Sequence, residues 1–338
     1  MGRPDRVHAA TLDDFVDVPA VSPHGRIGVV GAGGFGRFCI DAYQRARDLT
    51  VVAVADPSDS ARAVVHAPGS RVEQDWRPLL DDDRIEVIHV ATPPFLRESI
   101  IEAAFAAGKS VFCEKPIALS LAQADRLIGA ARDAGRTLGV DYVMRHHPAY
   151  DLLERLARSG LFGHLRTISF QNFAQAVPAD HWFWDHSRSG GILVEHGVHF
   201  FDAYGRIAGR AEEGWASSLR PEAIGASIRY AGGAFGRFFH EFAYPREAEY
   251  AGGVTAFERG IIRLDGWIPT SLQARVLASQ DEVLTILDAP RHESLVDDGL
   301  VTTLEVAFPN RYNRYAAAIV AGMRDTVLRH RNPGHSMR

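Results

Sequence analysis

Short apolar runs alternate with amphipathic segments over the first 145 or so residues. Apolar runs end near residues 31, 56, 91, 113 and 140, and most of the segments between them repeat apolar positions with a helical period. Repeated strand–helix alternation is typical of βαβ units. The pattern therefore predicts an α/β domain, a doubly wound parallel Rossmann sheet, whose ligands bind at the carboxyl ends of the strands.

The pattern changes after about His146. A helix near residues 149–158 is followed by period-2 stretches at 165–170, 226–230 and 235–240, with more strands to about 286 and a final helix over 314–331. Consecutive strands without intervening helices indicate a mostly antiparallel sheet. We expect an extension at 1–25, a dinucleotide-binding domain at 26–145, and an α+β substrate-binding and oligomerisation domain at 146–338. Its open sheet face predicts a homodimer or homotetramer.

A glycine-rich turn follows the first apolar run. Gly31, Gly33 and Gly36 form G-x-G-x-x-G between a predicted strand and a predicted helix. The first glycine permits the sharp turn, the second lets the backbone approach a pyrophosphate, and the third lets helix and strand pack closely. With Gly34 and Phe35, this turn is the predicted phosphate-binding site of a dinucleotide.

An acidic residue ends the second apolar run. Asp56 lies 20 residues after Gly36 (56 − 36), where a carboxylate accepts hydrogen bonds from the adenosine ribose and repels a 2′-phosphate. The sequence thus favours NAD over NADP. Arg37 and Arg62 are the side chains that could instead reach a 2′-phosphate.

Composition excludes several classes of partner. Of 338 residues, 46% are hydrophobic and 23% charged, and the net charge of −5 without a basic run argues against nucleic acid or an anionic membrane. No apolar segment approaches the roughly 20 residues that span a bilayer. The first 25 residues contain Asp13, Asp14 and Asp17 and no apolar core of a signal peptide. These features predict a cytoplasmic protein, in which Cys39 and Cys113 are small buried residues.

Two groups of residues suggest chemistry. Lys115, between Glu114 and Pro116, directly follows an apolar strand, where its ammonium would point toward the nicotinamide end of a dinucleotide. Glu195 and His199 follow a glycine-rich entry and are four residues apart, so a helix would place them on one face. Other residues predicted to bind the cofactor are Thr92 and Pro93, at one strand end, and Glu114 and Lys115, at another.

These residues together carry a resemblance. The glycine turn, Thr92-Pro93, Glu114-Lys115-Pro116, Arg145 and the run from Gly190-Gly191 to His199 resemble the glucose–fructose oxidoreductase, inositol dehydrogenase and MocA (Gfo/Idh/MocA) family. The resemblance spans nearly the whole chain from Arg26. It implies a Rossmann domain followed by an open-sheet domain, a tightly held nicotinamide cofactor, and sugar, inositol or polyol substrates. Lys115 matches the catalytic lysine of that family and His199 its catalytic histidine.

The chain departs from the family pattern at two places. Glu195 stands where the family usually has Asp, and Arg97 stands where a histidine is common after Thr-Pro. The mechanism that the resemblance favours is alcohol–ketone interconversion, with His199 as general base, Lys115 stabilising the developing alkoxide, and Glu195 orienting His199. Residues expected to contact the substrate are Arg97, Arg145, Trp182, Trp184, Asp185 and His196.

Several alternatives remain open at this point. A redox-neutral relative would use bound NAD to cleave a glycoside or epimerise a sugar, and a non-catalytic sensor would keep only the dinucleotide fold. A metal site could form from Glu195, His196, His199 and His181. The primary prediction is that the site holds no metal. The two tryptophans could simply pack the junction between domains.

Overall fold

The computed structural model describes residues 20–287, 293–297 and 299–332. Most of the predicted N-terminal extension, residues 1–19, lies outside these ranges, as do residues 333–338. The described chain divides into two compact units. The first comprises residues 20–146, 187–189 and 312–332, and the second comprises residues 147–186 and 190–311 except for the undescribed positions.

The first unit contains the predicted parallel sheet. Its six strands lie in the order β3-β2-β1-β4-β5-β6, and all neighbours pair in parallel. The strands are β1 (Gly25–Val30), β2 (Leu49–Ala55), β3 (Arg71–Glu73), β4 (Val87–Val90), β5 (Ser110–Cys113) and β6 (Leu138–Val140). The helices between them are α1 (Gly34–Arg45), α2 (Asp59–Ala63), α3 (Arg77–Leu80), α4 (Arg97–Ala106) and α5 (Leu121–Asp133).

Apolar burial explains these elements. The four residues of β4 and of β5 are all buried, as a parallel sheet covered on both faces requires. Residues from β4, α4 and β5, with Leu127 and Ala131 of α5, form one apolar cluster. Cys39 and Cys113 are buried free thiols, and burial raises the pKa of both.

The second unit contains a nine-stranded sheet in the order β14-β15-β13-β12-β11-β7-β10-β9-β8. All its pairs are antiparallel except β7 with β10. Its strands are β7 (Leu165–Gln175), β8 (Ala211–Arg220), β9 (Ala223–Tyr230), β10 (Phe235–Tyr244), β11 (Tyr250–Phe257), β12 (Gly260–Asp265), β13 (Ser271–Val276), β14 (Glu293–Asp297) and β15 (Thr302–Ala307). Its helices are α6 (Pro148–Arg158), α7 (His186–Ser189), α8 (Val198–Ala208) and α9 (Gln280–Leu284), with the last three residues of α7 grouped with the first unit.

One face of this sheet is covered by helices. Phe200 of α8 stacks on Phe170 of β7 at 3.9 Å between ring centroids, and Tyr204 contacts Tyr150 of α6 and Phe238 of β10. The opposite face is open, with Trp215, Leu219 and Val254 among its exposed side chains. The sequence therefore correctly predicted a mixed, mostly antiparallel sheet with an uncovered face.

The final helix belongs to the first unit. Helix α10 (Arg311–Arg331) was expected to lie in the second domain, but from residue 312 onward it groups with the parallel sheet. Arg324 is buried and forms two hydrogen bonds with Asp48, at 2.9 and 2.7 Å. Arg331 pairs with Glu86 at 2.7 Å. These long-range ion pairs give the physical reason for the difference.

Candidate active site

The glycine turn has the geometry that its sequence predicted. Gly31 has φ +103°, and a Cβ there would lie 2.7 Å from the carbonyl oxygen of Ala91. A Cβ on Gly36 would collide with the carbonyl oxygen of Gly31, whereas Gly33 and Gly34 have no atom within 4 Å of their added Cβ positions. The first and third glycines are thus required by packing, and the backbone at Gly33 and Gly34 is open to a ligand.

Asp56 completes the same site. Its Oδ2 accepts a hydrogen bond from the backbone N–H of Ala32 at 2.7 Å, and its Oδ1 accepts one from Ser58 at 2.8 Å. The carboxylate is therefore fixed beside the glycine turn. Arg62, which could have reached a 2′-phosphate, donates to the carbonyl of Asp56 and pairs with Asp59.

A cavity of about 760 Å³ opens over these residues, and its lining includes Gly31, Gly33, Asp56, Thr92 and Pro93. The open backbone at the start of α1 and the carboxylate at the end of β2 fit the pyrophosphate and the adenosine ribose of NAD. The predicted cofactor residues in this part of the sheet are thus brought together in one cavity.

Lys115 follows β5 on a neighbouring strand of the sheet. Its side chain is half-buried, and the Lys115–Pro116 peptide is cis. Arg97 is buried and donates to the main-chain carbonyls of Thr92, Glu114 and Pro116. The arginine that replaces the usual histidine therefore ties together two of the loops at the strand ends. Arg145 is exposed and lies over the ring of Tyr142, 5.0 Å from its centroid.

A buried polar network lies beside Lys115, which sequence reasoning did not find. His89 contacts the Tyr43 hydroxyl at 3.1 Å and the Glu114 carboxyl at 3.3 Å. The carboxyl of Glu114 is also hydrogen-bonded to that of Asp141. Both acids are almost fully buried. A carboxylate can only accept a hydrogen bond, so one of the two carboxyls must carry a proton.

The electrostatics of this network follow from burial. Burial, together with the charge of Glu114, raises the pKa of Asp141 well above its usual range, and the Lys115 ammonium partly opposes this rise. Burial lowers the pKa of His89 to about 4, so its imidazole is neutral at pH 7. Asp141 ends a predicted strand, and His89 interrupts an apolar run. These two features of the sequence could have identified Asp141 and His89 as candidate site residues.

One cluster of potential metal-ligating atoms lies in the first unit, whereas the residues of the alternative metal site belong to the second. Ligand atoms of Cys39, His89 and Glu114 lie within 4.8 Å of one another there. Burial raises the pKa of the Cys39 thiol well above its usual range, which disfavours the thiolate that a metal would need.

The helix that carries His199 begins irregularly. Residues Leu193–Gly197 form a turn of π-helix before α8, where an α-helix was expected from the first glycines onward. A π turn contains an extra residue and shifts the positions that follow it, and such turns often occur at functional sites. Glu195 lies in the π turn and is partly buried, and His199 lies in the first turn of α8 and is 4% exposed.

A second cavity, of about 500 Å³, lies in the second unit. Its lining includes His196, Asn172, Trp267 and Arg311. The ring of Trp267 lies 6.3 Å from that of His196 and 6.4 Å from that of His199. Of this lining only His196 was predicted from the sequence. Trp267 lies in a turn after β12, and no motif marks it or Asn172.

The predicted aromatic stretch makes packing contacts within the second unit. Trp184 donates from its indole N–H to the carbonyls of Val177 and Pro178 and packs against the cluster of Phe183, Ile192 and Phe242. Trp182 lies beside His181, with ring centroids 5.1 Å apart, and Asp185 is exposed. Neither tryptophan nor Asp185 is among the residues that line the 500 Å³ cavity.

Comparison with known proteins defines the class. Residues 25–142 match the family model described as an oxidoreductase family with an NAD-binding Rossmann fold, and residues 150–251 match the GFO/IDH/MocA C-terminal domain. The protein is thus an NAD-binding oxidoreductase with a Rossmann unit and a second, mixed-sheet unit. It belongs to the Gfo/Idh/MocA family, as the sequence motifs predicted.

Named relatives act on sugars and cyclitols. The chain is 28% identical, over 88% of its length and 94% of the relative's, to a dTDP-3,4-didehydro-2,6-dideoxy-alpha-D-glucose 3-reductase of Streptomyces antibioticus. It is 33% identical, over 46% of each chain, to an inositol 2-dehydrogenase of Acidothermus cellulolyticus. A solved levoglucosan dehydrogenase, in complex with NADH and levoglucosan, has the same fold, with a TM-score of 0.75 over 90% of each chain at 20% identity.

No described helix has both the length and the apolar character needed to cross a membrane.

Proposed function

We propose that this protein oxidises a secondary alcohol of a sugar, inositol or related polyol to a ketone, or catalyses the reverse reduction, with NAD(H). The observation that carries the proposal is the arrangement within the first unit. There the open glycine turn, the fixed Asp56 carboxylate and Lys115 all lie at the carboxyl ends of strands in one parallel sheet. Ligands of such sheets bind at this edge.

In this proposal each residue has a defined role. His199 acts as general base and removes the hydroxyl proton of the substrate. Lys115 donates a hydrogen bond to the same oxygen and stabilises its developing negative charge. Bound NAD+ supplies the hydride acceptor. Glu195 orients His199 or binds an adjacent hydroxyl, and Arg97 holds the loop of Lys115 through the carbonyls of Glu114 and Pro116.

The test is kinetic. We expect Lys115→Met and His199→Ala each to lower turnover by about 10²–10⁴, because each removes a group that acts on the reacting oxygen. NAD+ affinity should stay nearly unchanged. His66→Ala, which changes an exposed histidine of the first unit, is the matched control and should keep normal rates. Near-normal turnover by either active-site variant would refute its assigned role.

The same assay addresses the redox-neutral alternative. A dehydrogenase releases NADH in step with polyol consumption, which is measured by absorbance of the reduced nicotinamide. Consumption of a glycoside, or epimerisation of a sugar, without net NADH would identify the redox-neutral activity instead. Binding of NAD+ without turnover of any polyol or glycoside would favour a sensor.

We further propose that the open face of the nine-stranded sheet pairs with a second copy of the chain. A row of register partners crosses this face through Trp215, Ser227, Arg237, Ser169 and Val254. Trp215 and Val254, at the two ends of this row, are large apolar side chains exposed to solvent, and exposed apolar surface is typical of protein interfaces.

The oligomer proposal is tested by light scattering. We expect the wild-type mass to be at least twice 37.1 kDa and Trp215→Glu to lower it, because the variant replaces a large exposed apolar side chain of the open face with a charge. Val64→Glu, on an exposed position of the first unit, should leave the mass unchanged. A wild-type monomer would overturn the proposal.

A further inference from the structure

A chain of buried hydrogen bonds ends at the residue before Lys115. The Tyr43 hydroxyl of α1 lies 3.1 Å from Nδ1 of His89 on β4, and Nε2 of His89 lies 3.3 Å from Oε1 of Glu114, just after β5. The Glu114 carboxyl is hydrogen-bonded to that of Asp141, just after β6. All four residues are at most 5% exposed. The proposed mechanism assigns no role to these four side chains.

The direction of each hydrogen bond follows from burial. Burial raises the pKa of Tyr43 well above its usual range, so its hydroxyl keeps its proton and can donate it to Nδ1 of His89. The neutral imidazole then carries its own proton on Nε2 and donates it to Glu114. Burial also raises the pKa of Asp141, which therefore holds the proton that the two acids share. Two donors thus converge on Glu114, and Glu114 is the ionised member of the pair.

The main chain around Lys115 is held as well. Arg97 donates to the carbonyls of Glu114 and Pro116, the residues on either side of Lys115. The Lys115 ammonium lies close enough to the acid pair to oppose part of the rise in the pKa of Asp141. A buried negative charge is therefore fixed beside the ammonium, where the low dielectric of the interior strengthens their attraction.

We propose that His89 is a positioning residue for Lys115, and that it acts by keeping the Glu114 carboxylate ionised and in place. A buried carboxylate that loses a hydrogen-bond donor takes up a proton or moves. Either change removes the fixed charge that attracts the ammonium, and a small displacement of a catalytic group lowers turnover steeply. The inference rests on the proposed function in one respect, namely that Lys115 acts on the reacting oxygen.

The first arm of the test measures oxidation of myo-inositol and levoglucosan with NAD+. His89→Leu removes the donor to Glu114, so we expect kcat to fall by about tenfold or more, while KM and NAD+ affinity stay within about threefold of wild type. His89→Gln keeps a donor for Glu114 and an acceptor for Tyr43, so it should restore kcat to within about threefold of wild type. Tyr43→Phe combined with His89→Leu removes the hydroxyl that leucine leaves without a partner, so this pair tests the same loss if the single variant does not fold.

Phe112→Leu is the matched control. The Phe112 ring lies 5.3 Å from that of His89 between centroids, so the variant disturbs packing around the same imidazole without removing a hydrogen bond. It should lower the melting temperature and keep the wild-type kcat. In a Lys115→Met background, His89→Leu should lower kcat no further, because the group through which it acts is already gone.

The second arm does not depend on turnover. Infrared spectra in H2O and D2O detect the carbonyl stretch of a protonated carboxylic acid. We expect such a band in the wild type at neutral pH, and its loss in Asp141→Asn assigns it to the acid pair. His89→Leu should change this band, because Glu114 then takes up a proton or moves. Phe112→Leu should leave the band as it is in the wild type.

The outcomes separate this inference from the proposed function. A loss of kcat in Lys115→Met with normal turnover in His89→Leu would overturn the inference alone. Equal losses in His89→Leu and either His89→Gln or Phe112→Leu would also overturn it, because packing and not the hydrogen bond would then be responsible. An infrared band that His89→Leu leaves unchanged would overturn it whether or not either polyol is oxidised. Normal turnover in Lys115→Met would instead refute the role that the proposed function gives to Lys115.

Discussion

The buried acid pair gives a quantitative prediction for Asp141→Asn. Glu114 and Asp141 share one hydrogen bond and therefore one proton in the folded protein. Both acids are ionised in the unfolded chain above about pH 5. Folding thus takes up one proton at neutral pH, and stability falls as pH rises by about 1.4 kcal/mol per unit, until the folded pair itself loses its proton.

Asparagine removes this dependence while keeping the contact, because its amide N–H₂ can donate to the Glu114 carboxylate. We expect Asp141→Asn to be more stable than wild type at pH 8, and the advantage to shrink between pH 8 and pH 6 by at most about 3 kcal/mol, the limit for one proton. Below the unfolded pKa of Asp the wild-type acid carries its proton in both states and the advantage should vanish. Burial lowers the pKa of His89 to about 4, so its imidazole is neutral in both folded proteins between pH 6 and pH 8 and its titration does not contribute to the difference.

The assay is urea unfolding at pH 6, 7 and 8, followed by tryptophan fluorescence, to which Trp76 contributes from the first unit. Asp133→Asn, an exposed substitution in the same unit, is the control and should parallel the wild type. Parallel pH dependences for wild type and Asp141→Asn would show that no proton is shared, and the reasoning about the pair would be refuted.

Two further predictions concern the cofactor site. Gly33→Ala should fold normally, because φ at Gly33 is −61° and the new Cβ meets open space, but it should weaken NAD+ binding at least tenfold. Gly36→Ala should instead lower the melting temperature, because its Cβ strikes the carbonyl of Gly31. Fluorescence titration and thermal unfolding distinguish the two, and equal effects of both would contradict these roles. Asp56→Ala should weaken NAD+ and relax discrimination against NADP+, as measured by the ratio of the two affinities; an unchanged ratio would place ribose recognition elsewhere.

Local signals explain what could be predicted from the sequence. The order of β1 to β6 and the glycine turn follow from short-range patterns. The hydrophobic periodicity, the glycines and prolines that end each element, and the spacing from Gly36 to Asp56 all extend over a few tens of residues at most. The resemblance assigned roles to Lys115 and His199 from local motifs in the same way, and those roles stay predictions. These parts of the fold needed no knowledge of distant contacts.

The missed features depend on distant contacts instead. Strand β8 was not predicted because all ten of its residues are exposed. Its sequence therefore lacks the alternation of buried apolar and exposed polar positions that predicts a strand. The stretch to about residue 286 was expected to hold only strands, but it ends in α9, and β14 and β15 lie beyond it. The pairing of Asp141 with Glu114, and that of Asn172 with His240 across β7 and β10, depend on which strands become neighbours.

The return of the last helix to the first unit affects how the protein is made. Asp48 is synthesised early, yet its partner Arg324 leaves the ribosome only after the whole second unit has been translated. Until then a buried carboxylate of the parallel-sheet unit has no counter-ion, and an uncompensated buried charge is strongly destabilising. We therefore expect the nascent Rossmann unit to remain incomplete until α10 has left the ribosome, so that a dinucleotide pocket matures only after the second unit has been translated.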